Sequence, residues 1–191
     1  MEQVAQNVLD NDLNGLNIKA LAPKAIVRLY QDLADFNNIV EAIGKTRQMV
    51  LLFPTKANPT QGHWIAILYN KKTQTITHFD PYGFDISQEL GYSVNGLVKQ
   101  NILGQLYKGA IRDGFNVDFN KYQLQELKNG INTCGRWCSM RCRFSYLDNK
   151  EFAKLFYKQK MKPDILITLL TFITLKEDET DEEEVIRQAM H

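Results

Sequence analysis

Apolar and polar positions follow their clearest pattern between residues 48 and 79. Gln48-Met49-Val50-Leu51-Leu52-Phe53 is a short apolar run halted by Pro54, as expected of a buried strand. From His63 to Tyr69 the period is two, with His63, Ile65, Ile67 and Tyr69 on one face and Trp64, Ala66 and Leu68 on the other. Asn70-Lys71-Lys72 supplies a turn, and Thr73 to Phe79 returns as a third strand. Antiparallel pairing about that turn carries His63 and Asp80, seventeen positions apart, to the same end of the hairpin.

Helical spacing dominates elsewhere. Residues 24–43 predict a helix: Pro23 suits its first turn, Ile26, Leu29, Leu33, Phe36, Val40 and Ile43 form a stripe, and Gly44 stops it. A second helical pattern spans 86–108 through Val94, Leu97, Val98, Ile102 and Leu106. Gly114 to Phe119 alternates as another strand, and Tyr122 to Leu127 is expected to extend the sheet region. Beyond the loop Lys128-Asn129-Gly130, Cys134 opens an apolar-periodic segment running through Cys142, Phe144 and Leu147. Residues 149–159 and 163–175 predict two further helices, the second apolar enough to be buried. The acidic run 176–184 has no apolar period and reads as a solvated end. The expectation is one α+β domain over 1–175, followed by a flexible acidic tail over 176–191.

Composition narrows the function classes. At 191 residues, 44% hydrophobic and 24% charged, the chain suits a soluble globular domain. A formal net charge of +1 gives no support for DNA binding, though Arg136, Arg141 and Arg143 leave a local basic patch open. No apolar run approaches the ~20 residues of a membrane span, and the first residues lack a basic and apolar leader. The expected setting is therefore cytosolic or inside a particle. Three cysteines within nine residues argue against a disulfide framework. Cys134, Cys138 and Cys142 recur every fourth residue on one helix face, which cannot by itself surround a tetrahedral metal ion. Cys138 and Cys142 read as small core residues of that face.

Cys134 is different because it starts the segment. The first turn of a helix presents unpaired N–H groups and the positive end of the dipole, which favour the attacking thiolate. Gly135 removes a side chain where a substrate carbonyl must approach backbone. Upstream, His63 provides a general base and Asp80 a carboxylate to orient it; Asp80 before Pro81 is equally at home as a turn former. Of the other histidines, His191 is terminal, and His78 reads as a partly exposed strand residue.

His63-Trp64, Asp80 at that separation, and Thr133-Cys134-Gly135-Arg136-Trp137 after a glutamine resemble the adenain-like cysteine proteases, relatives in fold of ubiquitin-like-protein proteases. The likeness covers roughly residues 48–147 and is nearest to the capsid-maturation proteases of virophages, Polinton-type elements and large DNA viruses. It implies a central mixed β-sheet flanked by helices, with the nucleophile Cys134 at the N-terminus of a core helix. It also implies a His63–Asp80–Cys134 triad, with Trp64 lining the substrate channel, and cleavage after small residues such as Gly; Gly135 joins Trp64 as a substrate-binding residue on the backbone argument above. The family's second oxyanion donor is a glutamine about six or seven residues before the cysteine, where this chain has Leu127 and Lys128. Gln125 is the favoured substitute if Lys128-Asn129-Gly130 forms a bulge; Gln123, alternating onto the same face, stands behind it.

The resemblance implies a monomeric endopeptidase acting on capsid or other structural precursors in the host cytoplasm or viral factory and packaged in the virion. It implies no metal or other cofactor, although some members take a peptide or nucleic-acid activator. Alternatives are a deconjugase for a ubiquitin-like modifier and a non-catalytic binding module on the same fold.

Overall fold

The computed structural model describes residues 9, 11–54, 62–92 and 101–172. Five strands form one mixed sheet in chain order: β1 (Ile26–Leu29), β2 (Gln48–Pro54), β3 (Gly62–Asn70), β4 (Thr75–Phe79) and β5 (Asn116–Phe119). β2, β3 and β4 pair antiparallel, whereas the outer strands β1 and β5 run parallel to β2 and β4.

The alternation along β2 and β3 divides the interior into two cores. On one face Val50, Leu52, Trp64, Ala66, Leu68 and Phe79 pack with α1 (Gly15–Leu21), α5 (Cys134–Arg143) and α6 (Asn149–Tyr157), joined by Ile167. Ile167 lies in a further helix, α7, described over residues 163–172. On the other face Met49, Leu51, Phe53, Ile65, Ile67 and Ile76 pack with Tyr30, Leu33, α2 (Ile39–Ile43) and α4 (Ile102–Arg112). Period-two patterning thus becomes a three-layer α+β arrangement, because each strand face needs its own cover.

Three local expectations are corrected. Residues 24–43 are not one helix: β1 is followed by a 3₁₀ turn (Tyr30–Asp35) and then the short α2. Ile26-Val27 is β-branched and finds a parallel partner in Met49-Val50, and pairing overrides the helical spacing. Phe36 is extended, and the Asn38 side chain caps Glu41 N at 2.9 Å, so a new helix begins there. The 86–108 pattern is divided between α3 (Ile86–Tyr92) and α4, which runs on to Arg112; Val94, Leu97 and Val98 lie outside the described residues. Tyr122 to Leu127 adds no strand. Its amides leave the sheet, with Leu124 N and Gln125 N both donating to Pro81 O at 2.8 and 3.0 Å.

α7 is buried along Ile165, Ile167, Thr168 and Thr171. The acidic tail, 176–191, lies outside the described residues. Among the described residues no helix is long and apolar enough to cross a membrane.

Candidate active site

The β3–β4 hairpin pairs Ala66 with Phe79, so the residues beyond that pair gather at its open end. There His63 Nε2 lies 2.9 Å from Asp80 Oδ2, with His63 17% exposed and Asp80 fully buried. A carboxylate accepts only, so the imidazole hydrogen sits on Nε2, and any base chemistry falls to Nδ1. Asp80 is itself held. Its Oδ1 accepts from Tyr82 N at 2.6 Å, and its carbonyl accepts from Gly83 N at 2.9 Å and Asn120 Nδ2 at 2.6 Å. Gly83 has φ +75, and a Cβ there would meet the Lys121–Gln123 backbone at 3.2–3.3 Å. Glycine therefore permits the Asp80–Gly83 turn to dock on that segment. The Tyr82 ring stacks on His63 at 4.8 Å and 20°.

Cys134 is the first residue of α5 and is 5% exposed. The preceding Thr133 makes no side-chain cap bond to the helix. It gives its hydroxyl proton to Asp164 Oδ1 at 2.5 Å, beside Trp137 Nε1 at 3.0 Å, while Asp164 Oδ2 accepts from Glu126 N at 2.8 Å. Burial raises the Asp164 carboxyl above its ordinary range, and these bonds oppose that shift. Asp164 therefore ties the start of α5 to α7 and to the segment bearing Gln125. Sequence reasoning missed it, because an acid early in an apolar helix resembles any N-terminal helix acid.

Trp64 is buried and donates its indole N–H to Leu13 O at 3.0 Å. A Cβ on Gly135 would stand 3.1 Å from Leu13 Cβ and 3.4 Å from Trp64 Cδ1, so Gly135 lets the first turn of α5 close on Trp64. One turn on, Cys138 donates its thiol proton to Trp64 O at 3.2 Å. The residue next to His63 is thus packed directly under the Cys134 turn. Cys138 and Cys142 are buried, and burial pushes the Cys142 thiol up to about 12, unsuited to a nucleophile.

Tyr82 lies between these parts. Its phenol is pushed up to about 12, chiefly by burial, and is within electrostatic reach of His63, Cys134, Asp80 and Asp164.

Gln125 and Gln123 part company. Gln125 is buried, whereas Gln123 is exposed, because the segment is irregular and does not alternate like a strand. Lys128–Gly130 is a loop, with Ile131 N donating to Lys128 O at 3.2 Å and Gly130 at φ +80. Gln125 Nε2 gives its hydrogens to Tyr82 Oη and Ile131 O, both at 3.0 Å, and Oε1 has no partner. The carboxamide favoured from the sequence as an oxyanion donor thus has both its hydrogens engaged within the protein.

His78 is another correction. It is fully buried, bonds Tyr107 Oη through Nδ1 at 3.0 Å, leaves Nε2 unpartnered, and is pushed down to about 4 by burial. The basic patch does not form either. Arg136 is buried against Thr171 Oγ1 at 2.8 Å, and Arg141 spends its guanidinium on Phe144 O and Leu147 O. Only Arg143 of the three is exposed. Among the described residues no group of three or more His, Cys, Asp or Glu could hold a metal ion.

No protein-family model matches the chain. It is similar to the uncharacterized protein V9 of Sputnik virophage, with 31% identity over 162 residues, spanning 81% of this chain and 90% of that protein.

Proposed function

The chain belongs to the family of that virophage protein, and on this premise we propose that it is a cysteine endopeptidase with an adenain-like fold. The observation that carries this reading is the His63–Asp80 pair at 2.9 Å, set beside a tryptophan on which the turn beginning at Cys134 is packed. Deprotonation of Cys134 by His63 Nδ1 yields a sulfur nucleophile that attacks a peptide carbonyl. The C–S bond forms as the C=O π pair moves to oxygen. The imidazolium, steadied by Asp80, then returns its proton to the leaving amine as the C–N bond breaks. Water, activated by His63, hydrolyses the thioester, releasing the acid product and the thiol.

A viral setting favours structural precursors of the particle as substrates, cut after small residues such as Gly beside Trp64 and Gly135. Action in the host cytoplasm or viral factory, with packaging into the virion, belongs to the same proposal. The test is purified protein against precursor proteins of its own virus and Gly-containing reporter peptides. Turnover is expected in the wild type, Cys138→Ala and Cys142→Ala, and none in Cys134→Ala. Cleavage confined to ubiquitin-like fusions would move the reading to a deconjugase. A wild type inert toward every substrate, with Cys134 no more reactive to peptide electrophiles than a free thiol, would sink it.

A further inference from the structure

We infer that the hydroxyl of Tyr82 is the side-chain donor to the oxyanion, and that Gln125 is the residue that positions it. This rests on Cys134 being the nucleophile. The argument is one of hydrogen-bond accounting. A carboxamide has two N–H hydrogens, and those of Gln125 go to Tyr82 Oη and Ile131 O, each at 3.0 Å. The carbonyl of Ile131 accepts only, so it fixes which end of the carboxamide is nitrogen. Tyr82 Oη must then accept from Gln125, and its own hydrogen is directed elsewhere. That hydrogen has no acceptor among the described residues.

Position supports the assignment. The Tyr82 ring is half-buried and stacked on His63, its amide is bonded to Asp80, and its oxygen is reached from the segment that leads into α5. A phenol held near 12 stays neutral throughout the working range, so it stabilises a negative oxygen by donation without losing its proton. Gln125 Nε2 is anchored by Ile131 O and donates its second hydrogen to Tyr82 Oη, and an oxygen that accepts a bond in this way is a better donor through its own hydrogen. When Cys134 adds to the carbonyl, the carbonyl π pair becomes the oxyanion lone pair that receives the Tyr82 O–H. Collapse to the thioester releases it again.

Tyr82→Phe keeps the ring against His63 and removes one donor. Its kcat should fall about 10²-fold with KM changed less than about twofold, because the bond is made only in the transition state. A peptide aldehyde, which adds Cys134 and leaves its oxygen in the oxyanion position, should weaken by a similar factor. Gln125→Ala in the Tyr82→Phe background should cost no more than about threefold further, since a positioning residue has nothing left to position. Tyr82→Phe within about twofold of wild type, or full additivity of the two changes, would overturn the assignment. The wild-type aldehyde adduct gives a test that needs no variant: its oxygen should lie within ~3 Å of Tyr82 Oη. An oxygen bonded to Gln125 Nε2, with Tyr82 out of reach, also overturns it. A wild type that neither turns over peptides nor binds the aldehyde fails at the level of the protease reading and removes this assignment with it.

Discussion

His63 and His78 occupy the same hairpin, one at its open end and one within the sheet, and their surroundings make them different chemical groups. At the open end the imidazole has a buried carboxylate at 2.9 Å, an aromatic face against its ring and partial access to solvent. Inside, His78 pairs across to Ile67 on β3 and Phe119 on β5 and is walled by Tyr107. Asp80 and Asp85 favour its charged form and His63 disfavours it, but burial outweighs them and the ring stays neutral to about pH 4. Residue type sets what a histidine can do, whereas depth and a charged neighbour select which histidine can do it.

The strongest way to break this comparison is to exchange the losses. His63→Ala should lower kcat/KM by roughly 10³-fold or more, and Asp80→Asn by roughly 10²–10⁴-fold, because an amide no longer enforces the Nε2–H tautomer. His78→Gln in a folded protein should keep turnover within a few-fold of wild type. Steady-state kinetics on the three variants decides the matter; an inactive but folded His78→Gln alongside an active His63→Ala would reverse the roles.

Acid stability sharpens the same contrast. The unfolded chain protonates His78 near its ordinary 6.5, but the folded chain does so only near about 4. The unfolded state therefore binds more protons in that window. The stabilisation by neutral burial is complete above about pH 6.5 and is lost as pH falls toward about 4, on the order of 3 kcal/mol in all. Denaturant titrations between those limits should show this slope in wild type and a shallower one in His78→Phe. Equal slopes would remove His78 as the source.

The smallest expected effect concerns the clamp that aligns α5. In Asp164→Asn the oxygen can still serve Thr133 and Trp137, but an NH₂ group then faces the N–H of Glu126. Loss of that 2.8 Å bond should cost about 1–3 kcal/mol in thermal or chemical unfolding. Thr133→Val should cost less, roughly 1 kcal/mol, and an unchanged melt in both would show the clamp to be idle.

The parts that the sequence makes legible are those governed by local periodicity. Alternation from His63 to Tyr69 and from Thr75 to Phe79, joined by a short polar turn, suffices to bring His63 beside Asp80, because register and turn length leave few other pairings. The helix beginning at Cys134 is equally local: a loop ends there and an apolar period begins. Gly135 is read from the sequence as room for a substrate carbonyl, whereas the close approach present in the fold is that of Leu13 and Trp64. Residues 26–35 misread because their spacing fits a helix and only the neighbouring strand reveals the alternative.

The sequence by itself therefore determined the α+β class, the hairpin that joins His63 to Asp80, and the helix start that carries Cys134, since each depends on contacts within a few turns of chain. Tertiary structure alone decided that Ile26–Leu29 is a strand, that His78 is fully buried beside Tyr107, and that Gln125 spends its hydrogens on Tyr82 and Ile131. It also decided that Asp164 joins three segments. Those outcomes turn on burial and on which hydrogen-bond partner arrives from far along the chain. Spacing in one dimension does not carry that information.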